Sequence, residues 1–371
     1  MLFIGLFLFV SLVVIHEFGH FIAARRNGVE VEEFGIGFPP RLWKRRLKNK
    51  TLFTLNLLPL GGFVKLKGEH DADSEKGSYG SASLWAKTKI ILAGVIMNFL
   101  IAFILFTVLA LVGMPKLFDN QFTVASDSNI IRNDVLVGQV EAASPADKAG
   151  IKQKDVLVAI ISGDGSKTDI TTASALPNVT EKYNGQKVTV ELKRDGKSQS
   201  VTASLRSSEE VEKSKSTDSP KGYLGVVPAE FTLQKYTWSS PVVGLGVTAQ
   251  LTQMTLKGLG SMIASIFSGK VKQATSQVAG PVGIFVIIKD GSSLGIRFVL
   301  MIMAVISLTL AIMNALPIPA LDGGRLFVMY LFRLLKKELT PKLEDLIHGL
   351  GFAALMLLFI LITIVDIKRF F

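Results

Sequence analysis

Four runs of apolar residues, 2–24, 88–112, 297–316 and 346–367, constrain this chain more than anything else in it, because each is long enough to cross a bilayer. With no water inside the bilayer to satisfy the backbone, each run reads as a helix. Composition agrees: 49% of residues are hydrophobic and the mean hydropathy is +0.42, too apolar for an ordinary soluble chain with this much charge elsewhere. There is no cysteine, which excludes disulfides and thiolate metal sites. The net charge of +11 is explained by basic loops beside the spans, so no nucleic-acid partner is expected.

The first run is interrupted by His16-Glu17-Phe18-Gly19-His20. Residues four apart share a helix face, so His16 and His20 point the same way and can each give one nitrogen to a zinc ion. Glu17 can then act as base on water activated by that metal. A charged group in a membrane helix costs about 2–3 kcal/mol, and such groups usually mark function. The plain alternative is a pair of buried, hydrogen-bonded histidines without a metal. A secretory signal peptide is excluded by charge order: Arg25 and Arg26 follow the apolar run and no basic residue precedes it. The first helix is therefore expected to run from outside to inside.

Residues 25–89 are basic and suit a cytoplasmic loop. Within it, residues 51–67 read as a β-hairpin turning at Pro59-Leu60-Gly61-Gly62, unusually apolar and therefore membrane-associated. Its free edge could hold an extended substrate by strand addition. His70 to Gly80 reads as polar loop. On the second run, Gly94 and Asn98 share a face, and a buried amide there must find a partner. From residue 114 to 240 hydrophobicity falls and charges of both signs mix, the pattern of a soluble domain outside the membrane. Strands are expected at 135–140 and 154–160, a short helix in Ser144-Pro145-Ala146-Asp147-Lys148-Ala149-Gly150, and a hairpin around Arg194-Asp195-Gly196-Lys197. This order resembles a PDZ domain of the type in bacterial envelope proteases, with core 127–206. Its carboxylate-binding loop is poorly matched by Leu136-Val137-Gly138. Residues 207–221 read as a linker.

Residues 241–267 either cross the membrane or lie at its interface as an amphipathic helix. If they do not cross, the spans alternate direction, both termini lie outside, and the basic residues after 325 face the cytoplasm, as positive loops should. We therefore expect the interfacial form. Catalytic zinc commonly takes two His and one carboxylate. Asp322 then lies level with the two histidines, on a segment broken by Pro317 and Pro319. Asp366 falls at the far side. Asp345 and His348 are on the correct side and remain alternatives, in a setting that looks like a membrane boundary.

An HExxH in the first span, Asn314-Ala315-Leu316-Pro317-Ile318-Pro319-Ala320-Leu321-Asp322-Gly323 after a later one, and a PDZ domain between them resemble the bacterial site-2 protease family of intramembrane zinc metalloproteases. Gly94-x-x-x-Asn98 and Gly280-Pro281-Val282-Gly283 also match its patterns. The resemblance implies Zn2+ held by His16, His20 and Asp322, with Glu17 as the catalytic base. Asn98, Asn314, Pro317 and Pro319 are candidate substrate-binding residues. It implies cleavage of single-span membrane proteins in or near the bilayer, such as anti-sigma factors already trimmed by an upstream protease, or remnant signal peptides. The expected fold is an α-helical polytopic membrane protein of the bacterial inner membrane: four transmembrane helices, a membrane-associated β-hairpin and an inserted extracytoplasmic α+β PDZ domain. Its parts are expected at 1–112 (first two spans and the hairpin), 113–221 (PDZ domain and linker), 222–296 (interfacial segment) and 297–371 (last two spans with the Asp-Gly motif), and the active site faces the cytoplasm. A membrane-anchored scaffold would have no need of Glu17 or Asp322 in the membrane. A metal transporter would need polar residues in the outer halves of the spans, which are nearly bare.

Overall fold

The computed structural model describes residues 2–216, 220–268, 280–292 and 295–370. The chain divides into two compact units, one of Met1–Val112, Gln121–Ala125 and Thr237–Phe371, the other of Gly113–Asn120 and Ser126–Tyr236.

The first unit begins with α1 (Leu2–Arg26), β1 (Val31–Arg46), β2 (Leu52–Leu66) and α2 (Leu84–Val112). β1 and β2 both bend, so their pairing makes four rows in the order 62–66, 31–36, 52–56 and 41–46. The expected hairpin within 51–67 is not what forms. β2 runs through Pro59-Leu60-Gly61-Gly62 as one strand, and its two halves pair with β1 rather than with each other. The basic composition of 25–50 hid the partner strand. Glu33 ties three rows together from a buried position: its carboxylate accepts from Arg41 Nη2 at 2.7 Å and from Thr54 Oγ1 at 2.8 Å. Phe34 joins the sheet to α1, its ring meeting Phe21 and Phe18 at 5.6 and 6.4 Å.

The second unit is a six-strand antiparallel path in the order β3 (Met114–Pro115), β9 (Val226–Lys235), β4 (Asn129–Val140), β5 (Val156–Ile161), β7 (Lys187–Arg194) and β8 (Lys197–Ser204), with β6 (Lys167–Asp169) beside β5. Alternation along β7 buries Val188, Val190 and Leu192 against Val135, Val137, Leu157 and Ile160. The expected helix is α3 (Pro145–Lys148), capped by the Ser144 hydroxyl, which accepts from the Asp147 N–H. A second helix, α4 (Ala175–Lys182), precedes β7. The segment read as linker contains α5 (Ser208–Ser214), started by a reciprocal Ser207–Glu210 capping box. The start of the expected interfacial segment instead closes the second unit: β9 pairs with β4, and this unit runs on to Tyr236. Buried Asp155 is held by both nitrogens of the Arg194 fork, at 2.7 and 2.6 Å.

The first unit resumes with α6 (Ser240–Phe267), α7 (Pro281–Ser292), α8 (Ile296–Ala315), α9 (Asp322–Leu334) and α10 (Pro341–Phe370). Among the described residues four helical segments are long and apolar enough to cross a membrane: Phe7–Arg26, Leu84–Val112, Ile296–Ala315 and Pro341–Lys368. α6 is not one of them. It packs on α2, where a side chain at Gly244 would meet Thr107 Oγ1 at 2.3 Å. The segment expected at 222–296 as one interfacial stretch is thus a strand and two helices, with residues 269–279 and 293–294 outside the described set.

The loop 67–83 is not a free polar loop. Lys87, almost fully buried, pairs with Asp71, which also takes Arg333 Nη2 at 3.0 Å and gives its own N–H to Glu344. His70 Nε2 meets Asp345 at 2.9 Å. These bonds fasten the loop to α2, α9 and α10, which keeps the chain after β2 close to the polar end of the helices.

Candidate metal centre

His16 and His20 lie on consecutive turns of α1, facing α2. The helices approach closely because of two glycines. A side chain at Gly19 would come within 2.6 Å of the Ala93 carbonyl, and one at Gly94 within 2.4 Å of His20 Nε2 and 2.7 Å of His16 Cε1. Glycine inside the HEFGH motif thus lets α2 close over the imidazoles, and Gly94 leaves open the space in front of their nitrogens.

The third member comes from the end of α8. Leu316 leaves the helix with extended backbone, the chain turns through the two prolines, and α9 starts at Asp322. The turn is so tight that a side chain at Gly323 would meet the Ala315 carbonyl at 2.3 Å, and one at Gly324 the Ile318 carbonyl at 1.9 Å. Asp322 occupies the first turn of α9, where the helix dipole favours a carboxylate.

Asp322 Oδ2 lies 3.1 Å from His16 Nε2 and 3.3 Å from His20 Nε2, and the two Nε2 atoms are 3.1 Å apart. Ligand bonds of about 2.0–2.1 Å at tetrahedral angles give edges of roughly 3.3 Å, so this triangle has the size a zinc ion needs. Asp322 Oδ2 is buried and makes no hydrogen bond of acceptable angle, although both nitrogens are at contact distance. A buried carboxylate oxygen left without a hydrogen bond beside two imidazole nitrogens suits a cation. The outer nitrogens support this. His20 Nδ1 donates to the Ile90 carbonyl at 2.8 Å, which leaves the Nε2 lone pair for a metal. His16 Nδ1 faces the Asn98 amide at 3.4 Å. Asn98 Oδ1 is buried without a partner, and turning the amide over would let it accept from His16 Nδ1–H.

Glu17 projects into a cavity of about 310 Å³ that also exposes His16, His20, Asn314, Asp322 and Arg325. Glu17 lies against row 62–66, where a side chain at Gly62 would meet Glu17 Cγ at 3.4 Å. On that row, the Leu66 N–H donates to Glu69 Oε1 at 2.8 Å. At this edge, which faces the cavity, no described strand covers the row.

Of the expected site residues, the fold brings together His16, Glu17, His20, Asn98, Asn314 and Asp322. It does not bring Pro317 and Pro319 to the cavity wall; Pro319 packs where a side chain at Gly351 would stand, 2.5 Å away. The local alternatives are engaged elsewhere. His348 Nδ1 accepts from the Ala320 N–H at 3.1 Å, Asp345 binds His70, and Asp366 takes the Gly283 N–H at 2.7 Å. Arg325 was not anticipated. It lines the cavity, stacks over Tyr79 at 4.9 Å and donates to the Glu69 carbonyl. Its place one turn beyond Asp322 was the available signal.

Comparison with known proteins completes the description. The model of Peptidase family M50 matches residues 4–358. A zinc metalloprotease of Clostridium perfringens is 31% identical over 364 residues, covering 98% of this chain and 97% of its own length. Zinc metalloprotease RasP of Geobacillus kaustophilus is 27% identical, with 98% and 96% covered. The regulator of sigma-W protease RasP of Bacillus subtilis is 26% identical, with 98% and 97% covered.

Proposed function

The chain belongs to peptidase family M50, the site-2 proteases, and is a zinc metalloprotease; from that premise we propose that it cleaves single-span membrane proteins within or near the bilayer. The observation that carries this is the His16, His20 and Asp322 triangle with Glu17 beside it, in a cavity walled by helices of spanning length.

His16, His20 and Asp322 hold the zinc, and Glu17 is the base. Zinc there supplies Lewis acidity, polarising the scissile carbonyl and making water nucleophilic near neutral pH. Glu17 takes the proton of the attacking water on a carboxylate oxygen and returns it to the leaving amine nitrogen. The substrate must be extended, because a helix keeps its carbonyls in hydrogen bonds. Row 62–66 offers it an edge: a strand laid there bonds the outward backbone groups of the row beside Glu17. Asn314, across the cavity, is placed to bond the substrate backbone. Asn98 orients His16 rather than touching substrate.

The four spans alternate, with both termini outside and the metal centre toward the cytoplasmic side. The unit Ser126–Tyr236 is a PDZ domain on the outer side that screens substrates; the Ser144-capped helix between β4 and β5 supports this reading. Substrates of the anti-sigma class, trimmed first by another protease, are the ones the family resemblance implies, and a relative named as a regulator of sigma-W supports that class. Cysteines at Ser74 and Ser216 should label from opposite sides of the membrane; labelling from one side would sink the topology.

The mechanism is tested with purified protein and a fluorescent single-span substrate in liposomes. Glu17→Gln should keep its zinc and lose cleavage by at least a hundredfold, about what general-base catalysis contributes. Near-normal turnover in that variant would refute the assignment.

A further inference from the structure

We propose that row 41–46 and the turn after it form a binding surface for anionic phospholipid headgroups. Residues 41–50 hold Arg41, Lys44, Arg45, Arg46, Lys48 and Lys50 and no acidic residue. Arg41 is used by Glu33, while Lys44, Arg45, Arg46 and Lys48 have no ion-pair partner among the described residues.

Depth along α1 fixes where this row lies. A side chain at Gly61 would touch Val13, and one at Gly62 would touch Val14 and Glu17. At the other end of the sheet, Arg25, in the last turn of the spanning helix, donates to the Asn49 carbonyl. The helix rises about 18 Å between residues 13 and 25. The sheet therefore lies along the lower part of a membrane span, with the turn 47–50 at the boundary where headgroups begin.

Three features of the row suit lipid. Leu42 and Trp43 are 60% and 49% exposed beside the basic residues, the pairing of apolar and cationic groups found at a bilayer interface. The register, shifted between Arg41 and Trp43, puts Arg41, Lys44 and Arg46 on the face of Thr54 and puts Trp43 and Arg45 on the face of Phe53, so cations stand on both faces, with an aromatic ring beside them on one, unlike a one-sided patch for a soluble acidic protein. The row is also the outer edge of its sheet, with N–H groups uncovered by any described strand, and at this depth they need acceptors. Phosphate oxygens serve both the N–H groups and the cations. The cleft behind the row carries Glu30, Glu32 and Glu33 beside Arg25, Arg46, Lys50 and Lys65, so its own carboxylates largely balance its cations, and the headgroup belongs on the outward side, away from those carboxylates.

The test uses the full, zinc-loaded protein stripped of lipid in detergent. Phosphatidylglycerol or phosphatidylcholine is titrated back, and bound lipid is counted by native mass spectrometry. The parent should take up phosphatidylglycerol at least tenfold more tightly than phosphatidylcholine. Combined Lys44→Gln, Arg45→Gln and Arg46→Gln substitution should weaken phosphatidylglycerol binding on the order of a hundredfold, about fivefold per charge, with zinc content unchanged. Lys336→Gln, Lys337→Gln and Lys342→Gln together should retain it. If the triple variant fails to hold zinc, salt decides on the parent alone: binding must weaken as ionic strength rises. Equal affinity for both lipids, equal loss in the control variant, salt-insensitive binding, or displacement by equimolar inorganic phosphate would each overturn the proposal.

Discussion

At the scale of single residues, the site depends on groups that accept no substitute. Asp322 closes a triangle that two histidines leave open, and its buried Oδ2 has no other use. Asp322→Asn should therefore lose zinc as well as activity, since a neutral amide is a poor ligand. In the same competitive zinc titration Asn98→Ala should weaken binding about 10–100-fold, the usual effect of removing a ligand's orienting partner. His348→Ala and Asp345→Asn should bind like the parent, because one holds the Ala320 N–H and the other His70. The assignment fails if Asp322→Asn keeps parental affinity while His348→Ala loses it. The HEFGH pair was legible in the sequence because ligand spacing on a helix is local, and the Asp-Gly segment stood out as a candidate by its two prolines and its depth along the spans. The need for Gly19 and Gly94 was not: a Gly in an apolar helix has many uses, and only the 2.4 Å clearance at His20 Nε2 tells which one applies.

At the scale of elements, the sheet beside α1 has two unlike edges. Row 41–46 is loaded with cations, a device that discourages strand pairing. Row 62–66 faces the cavity, and its Val64 and Leu66 line it beside Glu17. Proline is tolerated on an edge where its missing N–H would point outward. Val64→Pro should therefore leave the zinc content intact and reduce kcat/KM for an extended substrate by tenfold or more. Unchanged kcat/KM would argue against strand addition. This sheet was only half legible. The apolar alternation of 51–67 marked extended chain, but its partner 31–36 lay in a stretch whose basic neighbours suggested loop. Pairing between distant rows leaves no local trace beyond β-prone residues such as Val31, Phe34 and Ile36.

At the scale of the whole molecule, the proposed zinc donors and base and the cavity beside them belong to the unit that contains the spans, and among the described residues the second unit contributes none of them. Replacing Ser126–Tyr236 by a short linker should leave cleavage of a short model substrate within about threefold of the parent, while substrates with bulky outer domains become better cleaved. Complete loss of cleavage in a zinc-loaded deletion would show that this unit does more than select. The sequence by itself determined the spans, the two-histidine half-site and the strand-helix-strand order of the second unit, because hydrophobic length, helical spacing and capping act between near neighbours. Only the tertiary structure decided that Asp322, rather than Asp345 or His348, completes the triangle, 302 positions beyond His20. It likewise decided that β2 pairs with β1 and that β9 joins the second unit. Each of these contacts closes a long loop, and its partner is chosen by packing and hydrogen bonding in the folded chain rather than by any pattern the segment carries alone.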